Sequence, residues 1–153
     1  MPTQHIREDR GKDKNGKMRI EFFMAMVPPT ITHQAKKLTV KNGKAITYNS
    51  PELNAAREKL RAHLSKYIPQ KPMTGPVWLG VKWCFPAGVS HWDGEYKISK
   101  PDTDNLEKAL KDVMEDLGFF NDDAQVASEH VEKFWADVPG IYVTMWEIEE
   151  EQI

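Results

Sequence analysis

Val77, Leu79, Val81, Trp83 and Phe85 alternate with their neighbours at period two, and Pro86 closes the run. That period puts all five on one face of a pleated strand, and a face so apolar requires a covering layer. Beyond it, Leu106, Leu110, Val113 and Leu117 recur at the spacing of one helical stripe, which supplies such a layer. Gly118 follows, placed to end that helix in a left-handed cap.

The remaining segments fill in a domain. Residues 18–27 are apolar enough for a first buried strand, closed by Pro28-Pro29. Leu38-Thr39-Val40 and Ala45-Ile46-Thr47-Tyr48 flank Asn42-Gly43, a hairpin turn signal. With Lys36, Lys37, Lys41 and Lys44 this hairpin gathers four lysines, an exposed edge or a phosphate-tracking arm. Ser50-Pro51 pairs an N-cap serine with proline at the first helical position, and Leu53, Ala56, Leu60, Leu64 and Tyr67 follow at helical spacing. Arg57, Lys59, Arg61 and Lys66 are expected to give that helix a basic outer surface. Residues 125–135 and 141–148 read as two strands, expected to form a hairpin through Asp137-Val138-Pro139-Gly140. The expected fold is α+β: one domain over residues 18–153, with two main helices on one face of a mixed sheet. Residues 1–17 form a polar arm, expected to be mobile.

At 153 residues the chain is long enough for one domain with a core. It has no apolar run of membrane-spanning length and no secretory leader, so the cytoplasm is the expected compartment and no membrane partner is expected. The single cysteine, Cys84, cannot form an internal disulfide and reads as a packed core thiol. The five histidines show no zinc-like spacing; His91, in the long loop 87–101, is the one near candidate chemistry. Trp92 in the same loop is the tryptophan best placed to stack on a base, and the loop is read as a substrate contact. The net charge of −2 conceals a division. Residues 1–100 hold 18 Lys and Arg against 8 Asp and Glu, whereas residues 101–153 hold 3 against 15. A plain nucleic-acid binder would be basic throughout; a basic part beside an acidic one suits metal-dependent chemistry on a phosphodiester.

The acids are concentrated in Pro101-Asp102-Thr103-Asp104-Asn105-Leu106-Glu107-Lys108 and, past the second helix, in Asn121-Asp122-Asp123. With the helix starting near Asp104, Asp104 and Lys108 lie one turn apart, and Lys111 and Asp112 fall near the same polar face. Asp102, Asp104 and one of Asp122 or Asp123 could share a hard cation such as Mg²⁺, which favours carboxylate oxygens, water and phosphate oxygens. Lys108 could then touch the scissile phosphate. A purely structural account is available: Asp104 and Glu107 as a capping box, Asn121-Asp122-Asp123 as a turn. An EF-hand fails, because Leu106, Glu107 and Val113 stand where oxygen ligand, glycine and glutamate are required. A haloacid-dehalogenase-type phosphatase fails too, since no buried hydrophobic strand directly precedes the Asp-x-Asp.

The first motif, together with Gly118-Phe119-Phe120-Asn121-Asp122-Asp123-Ala124-Gln125-Val126, resembles the signature of the RusA family of Holliday junction resolvases. The resemblance implies a small homodimeric endodeoxyribonuclease that cuts four-way junctions by paired nicks in DNA recombination and repair, often of phage or prophage origin. It implies Mg²⁺ as cofactor, with Mn²⁺ able to stand in. Residue by residue it assigns Asp102, Asp104 and Asp123 as catalytic, metal-binding carboxylates and Lys108 as the catalytic lysine; Asp122 matches a neighbouring acid without an assigned role. The polar arm is extra to the family pattern, and the basic run before the first aspartate is reduced to Lys97 and Lys100. Flaps, forks and other branched DNA remain alternative substrates, and a non-catalytic DNA-binding module is the remaining alternative.

Overall fold

The computed structural model describes residues 18–31 and 36–150, so the polar arm lies outside the described residues. Strand β1 (Arg19–Met24) is followed by the hairpin of β2 (Lys36–Lys41) and β3 (Lys44–Asn49), then helix α1 (Pro51–Leu64). Strand β4 (Val77–Pro86), helix α2 (Thr103–Leu117), β5 (Val126–Ala136) and β6 (Gly140–Glu147) complete the chain, with single 3₁₀ turns at Ser65–Tyr67 and Asp123–Gln125. The fold is α+β, a mixed four-stranded sheet with two helices and a separate two-stranded hairpin.

The local signals act as their chemistry dictates. Asn42 and Gly43 take positive φ (53° and 75°), which suits a two-residue hairpin connection. Ser50 Oγ accepts the Leu53 N–H at 3.1 Å and Pro51 opens α1, as the cap pattern predicts. Gly118, at φ 90°, ends α2 in the left-handed conformation, and the Phe119 N–H returns to the Met114 carbonyl. Lys41 and Lys44 are exposed at the hairpin turn.

Strand order is β1-β6-β4-β5. β6 runs antiparallel to both β1 and β4, while β5 lies parallel to β4 on its other side. The expected hairpin between the last two strands is therefore corrected. β5 and β6 do not pair; residues 137–139 carry the chain across the end of β4, so that β4 separates them. The β4–α2–β5 unit is a helical crossover between parallel strands, which puts the start of α2 and the turn before β5 on the same connection.

The core lies between one sheet face and the helices. Ile20, Phe22 and Met24 of β1, the five alternating residues of β4, and Ile141, Val143 and Met145 of β6 meet Leu60 and Leu64 of α1 and the α2 stripe. Phe22 stacks on Tyr67 with ring centroids 4.2 Å apart. Cys84 is only half-buried, on the opposite sheet face, and so is not the core thiol expected: it is one residue out of phase with Trp83 and Phe85. Burial still pushes its thiol pKa up, against use as a nucleophile. Arg57 and Arg61 do not form an outward basic surface either; Arg57 pairs with Asp112 (3.5 Å) and Asp116, and Arg61 with Asp116 (3.1 Å), tying α1 to α2.

Candidate active site

The segment entering α2 is held by β5. Lys133 Nζ donates to the carbonyls of Ser99 (2.7 Å) and Pro101 (2.8 Å), immediately before Asp102. Upstream, the Gly94 and Lys97 N–H groups donate to the Trp135 and Lys133 carbonyls, so loop 87–101 lies along the outer edge of β5. Its side chains add to this anchoring: His91 stacks on Trp135 at 3.9 Å and Lys97 Nζ sits 4.1 Å from the same ring. Burial first, and then Lys133, lowers the Lys97 pKa. Trp92 remains 70% exposed and makes no ring contact among the described residues.

Asp102 is the N-cap of α2, yet its side chain accepts no capping bond; its partner is Lys100 Nζ at 3.7 Å. The helix thus begins one residue earlier than expected, and the Asp104–Glu107 capping box does not form. Asp104 instead lines a cleft of 370 Å³ between α2 and β5, together with Glu107, Lys108, Lys111 and Glu129. Among the described residues its carboxylate has neither a hydrogen bond nor an ion pair.

Lys108 joins the two halves of the motif. Its ammonium lies 3.0 Å from Asp112 Oδ1 and 3.5 Å from Asp123 Oδ2, fifteen positions further along the chain. The hydrogen bond from Lys108 to Asp112, then the Asp112 charge and the weaker pull of Asp123, raise the Lys108 pKa and keep it cationic. Asp122 caps the turn before β5: its Oδ1 accepts the Ala124 N–H at 2.8 Å, and Gln125 Oε1 accepts the Asp122 N–H at 2.9 Å. The turn account of that residue is correct, and the capping box lies here.

The structure also brings in an acid that spacing alone had not singled out. Glu115 Oε1 accepts the Asp123 N–H at 2.7 Å, and oxygens of Glu115, Asp122 and Asp123 all lie within 4.8 Å of one another. Among the described residues this is the one set of three His, Cys, Asp or Glu side chains so spaced. Asp102 and Asp104 are not part of it; they stand at the N-terminal end of α2, and Glu115 in its last turn. Glu115 shares no motif with Asp123, and only the reversal of the chain at Gly118 makes them neighbours.

Glu107 is the second acid whose placement was missed. It is 3% exposed, and its Oε1 accepts the Trp83 indole N–H at 2.8 Å. Burial, followed by a hydrogen bond with Glu129, pushes its carboxyl up to about 9 from an ordinary 4.5. Burial alone would raise the Glu129 carboxyl, but hydrogen bonding with Glu107 and with Lys111, whose ammonium lies 3.1 Å away, outweighs it and lowers its pKa. No described helix is long and apolar enough to cross a membrane.

The family model for endodeoxyribonuclease RusA matches residues 26–146, which takes in both helices, the acidic motifs and every strand but β1. A Bacillus subtilis (strain 168) protein described as "Uncharacterized protein YqaN" is 27% identical over 121 residues, covering 72% of this chain and 84% of the relative. A Lactococcus phage r1t protein described as "Crossover junction endodeoxyribonuclease rusA" is 30% identical over 111 residues, covering 71% of this chain and 83% of the relative. A match across most of the domain, with Lys108 joining the two halves of the motif, leaves one conclusion: this chain belongs to the RusA family of endodeoxyribonucleases.

Proposed function

We propose that this chain is a Mg²⁺-dependent endonuclease that resolves four-way DNA junctions by paired nicks, acting as a homodimer in the cytoplasm during recombination and repair. The observation that supports the reading is the Lys108–Asp123 contact, which links the helix that carries the first motif to the turn that carries the second. The phage relative described as a crossover junction endodeoxyribonuclease supports the choice of substrate.

The donor set suits a hard cation. Asp102, Asp104 and Asp123 offer only carboxylate oxygens, and Asp104 lines the cleft without a competing donor among the described residues. Bound there, Mg²⁺ would lower the pKa of a coordinated water and stabilise charge on phosphate oxygens. Mn²⁺ makes similar demands and would substitute. The chain's own groups do the rest. Asp104 holds a negative charge at the cleft wall, Lys108 presents a fixed positive charge to the phosphate, and Asp112 keeps Lys108 protonated and aimed. Lys133 fixes the backbone before Asp102, so the first carboxylate does not swing with the loop. A junction has two-fold symmetry, which a C2 dimer would match with two equivalent sites on opposed strands.

A synthetic four-way junction with each strand labelled in turn tests the proposal. Paired symmetric nicks are expected with Mg²⁺ or Mn²⁺, none with EDTA, and at least a ~100-fold loss in Asp104→Asn. Undiminished cutting by that variant would refute the assigned site. Faster cutting of flaps, forks or linear duplex than of the junction would reassign the substrate.

A further inference from the structure

Lys111 stands three residues beyond Lys108 on the same cleft-lining face of α2. A step of three residues advances about 4.5 Å along the helix axis, close to the ~3.4 Å advance between phosphates of one DNA strand. Two flexible ammonium groups so placed can reach successive phosphates. The surroundings of Lys111 favour this task. Its ammonium is fixed on Glu129 at 3.1 Å, across the cleft on β5. Glu129 in turn meets Glu107, whose Oε2 is buried with no donor directed at it. Glu107 is buried while Glu129 is exposed at the cleft, so a proton shared between these two carboxyl groups belongs on Glu107, whose other oxygen is already bonded to Trp83. Trp83 bonds Glu107 at the core end and Lys111 bonds Glu129 at the cleft end, and a proton on Glu107 would join the two pairs. With Glu107 neutral, the charges of Glu129 and Lys111 cancel, and this wall of the cleft does not repel an incoming phosphate. An ammonium has three donors, so Lys111 can keep Glu129 and still bind phosphate.

We propose that Lys111 forms a second phosphate-binding subsite, for the strand phosphate next to the one at Lys108, and that Glu107 and Glu129 are its positioning residues. The proposal rests on the nuclease reading above and deepens it.

The test is binding of a fluorescent four-way junction in EDTA, followed by anisotropy over a range of salt concentrations. Lys111→Ala should weaken binding at low salt and reduce the slope of log K against log [salt] by about 0.9, one phosphate contact. Lys111→Arg should restore the slope. Glu107→Leu should move the slope toward that of Lys111→Ala, because Glu129 then loses its partner from the core. Glu107→Gln should restore it, since a carboxamide accepts from Trp83 and donates to Glu129 as the protonated acid would. A parental slope in Glu107→Leu overturns the positioning role. A parental slope in Lys111→Ala overturns the subsite while leaving the nuclease reading intact; parental protein that binds no junction overturns both. Loss of bound Mn²⁺ in Glu107→Gln, followed by electron paramagnetic resonance, would make Glu107 a metal ligand and overturn its positioning role.

Discussion

At Glu107 the chain places a carboxyl against Trp83 in the core, and the consequence is a proton that only the folded state retains. The group titrates near 4.5 when exposed and near 9 in the fold. Between those values the folded chain holds one proton that the unfolded chain has released, so stability falls as pH rises. The contribution is intact below the unfolded value and lost as pH climbs through the folded one, with a slope of at most about 1.4 kcal/mol per pH unit. Glu107→Gln removes this titration while still accepting the Trp83 indole N–H. Urea unfolding from about pH 5 to pH 9 should show the variant gaining on the parent as pH rises, and parallel curves would rule out a buried neutral acid. Sequence reading did not reach this residue. From spacing, Glu107 is an acid three places after Asp104 and fits a capping box; the helix begins one residue earlier, at Thr103, with Asp102 as the cap, and Glu107 then turns toward β4.

Helix α1 and strand β4 were legible because each satisfies its own local rule: a serine–proline start, and unbroken alternation ended by proline. The relation of β5 to β6 was not. Three connecting residues with Pro139 and Gly140 read as a hairpin, and nothing local reveals that β6 must leave β5 and insert between β1 and β4. What drives the insertion is burial. Ile141, Val143 and Met145 all reach the core face, and β6 is the strand that joins β1 to the rest of the sheet. Gly140, at the entry to β6, is the residue that allows the approach. A Cβ there would lie 2.0 Å from Phe23 Cζ and 2.7 Å from the Met24 carbonyl oxygen. The ring can swing aside, but the backbone oxygen of a paired strand cannot. Gly140→Ala is therefore expected to lower stability by about 1–3 kcal/mol, the range for overpacking, as a reduced urea midpoint. An unchanged midpoint would mean that β1 and β6 separate at this end without cost.

Across the whole molecule the division of charge takes on a spatial meaning. The motif acids were legible as residue types in a pattern, whereas their partners were not. Lys108 answers to Asp112 and Asp123, Glu115 to the Asp123 backbone, and Asp102 to Lys100, and these pairings depend on how α2 and the following turn fold back. The acidic C-terminal part thus surrounds the place where, on the proposed function, a polyanion must dock. Without a divalent ion, uncompensated carboxylates there oppose DNA, and Asp104, which has no cationic partner among the described residues, opposes it most directly. Two unit charges at 4 Å repel by about 1 kcal/mol in a water-like medium, and more where the cleft walls exclude water. Removing that one charge should therefore tighten binding by roughly fivefold. In EDTA, Asp104→Asn should bind a four-way junction more tightly than the parent protein although it cannot cut, and added Ca²⁺ should narrow the gap by improving only the parent. Lys108→Ala should move the opposite way, because it leaves Asp112 and Asp123 without the ammonium that now screens them. Equal affinity of the parent and Asp104→Asn in EDTA would mean that the bound strand passes well clear of the start of α2, and that the cleft between α2 and β5 is not where the phosphate sits.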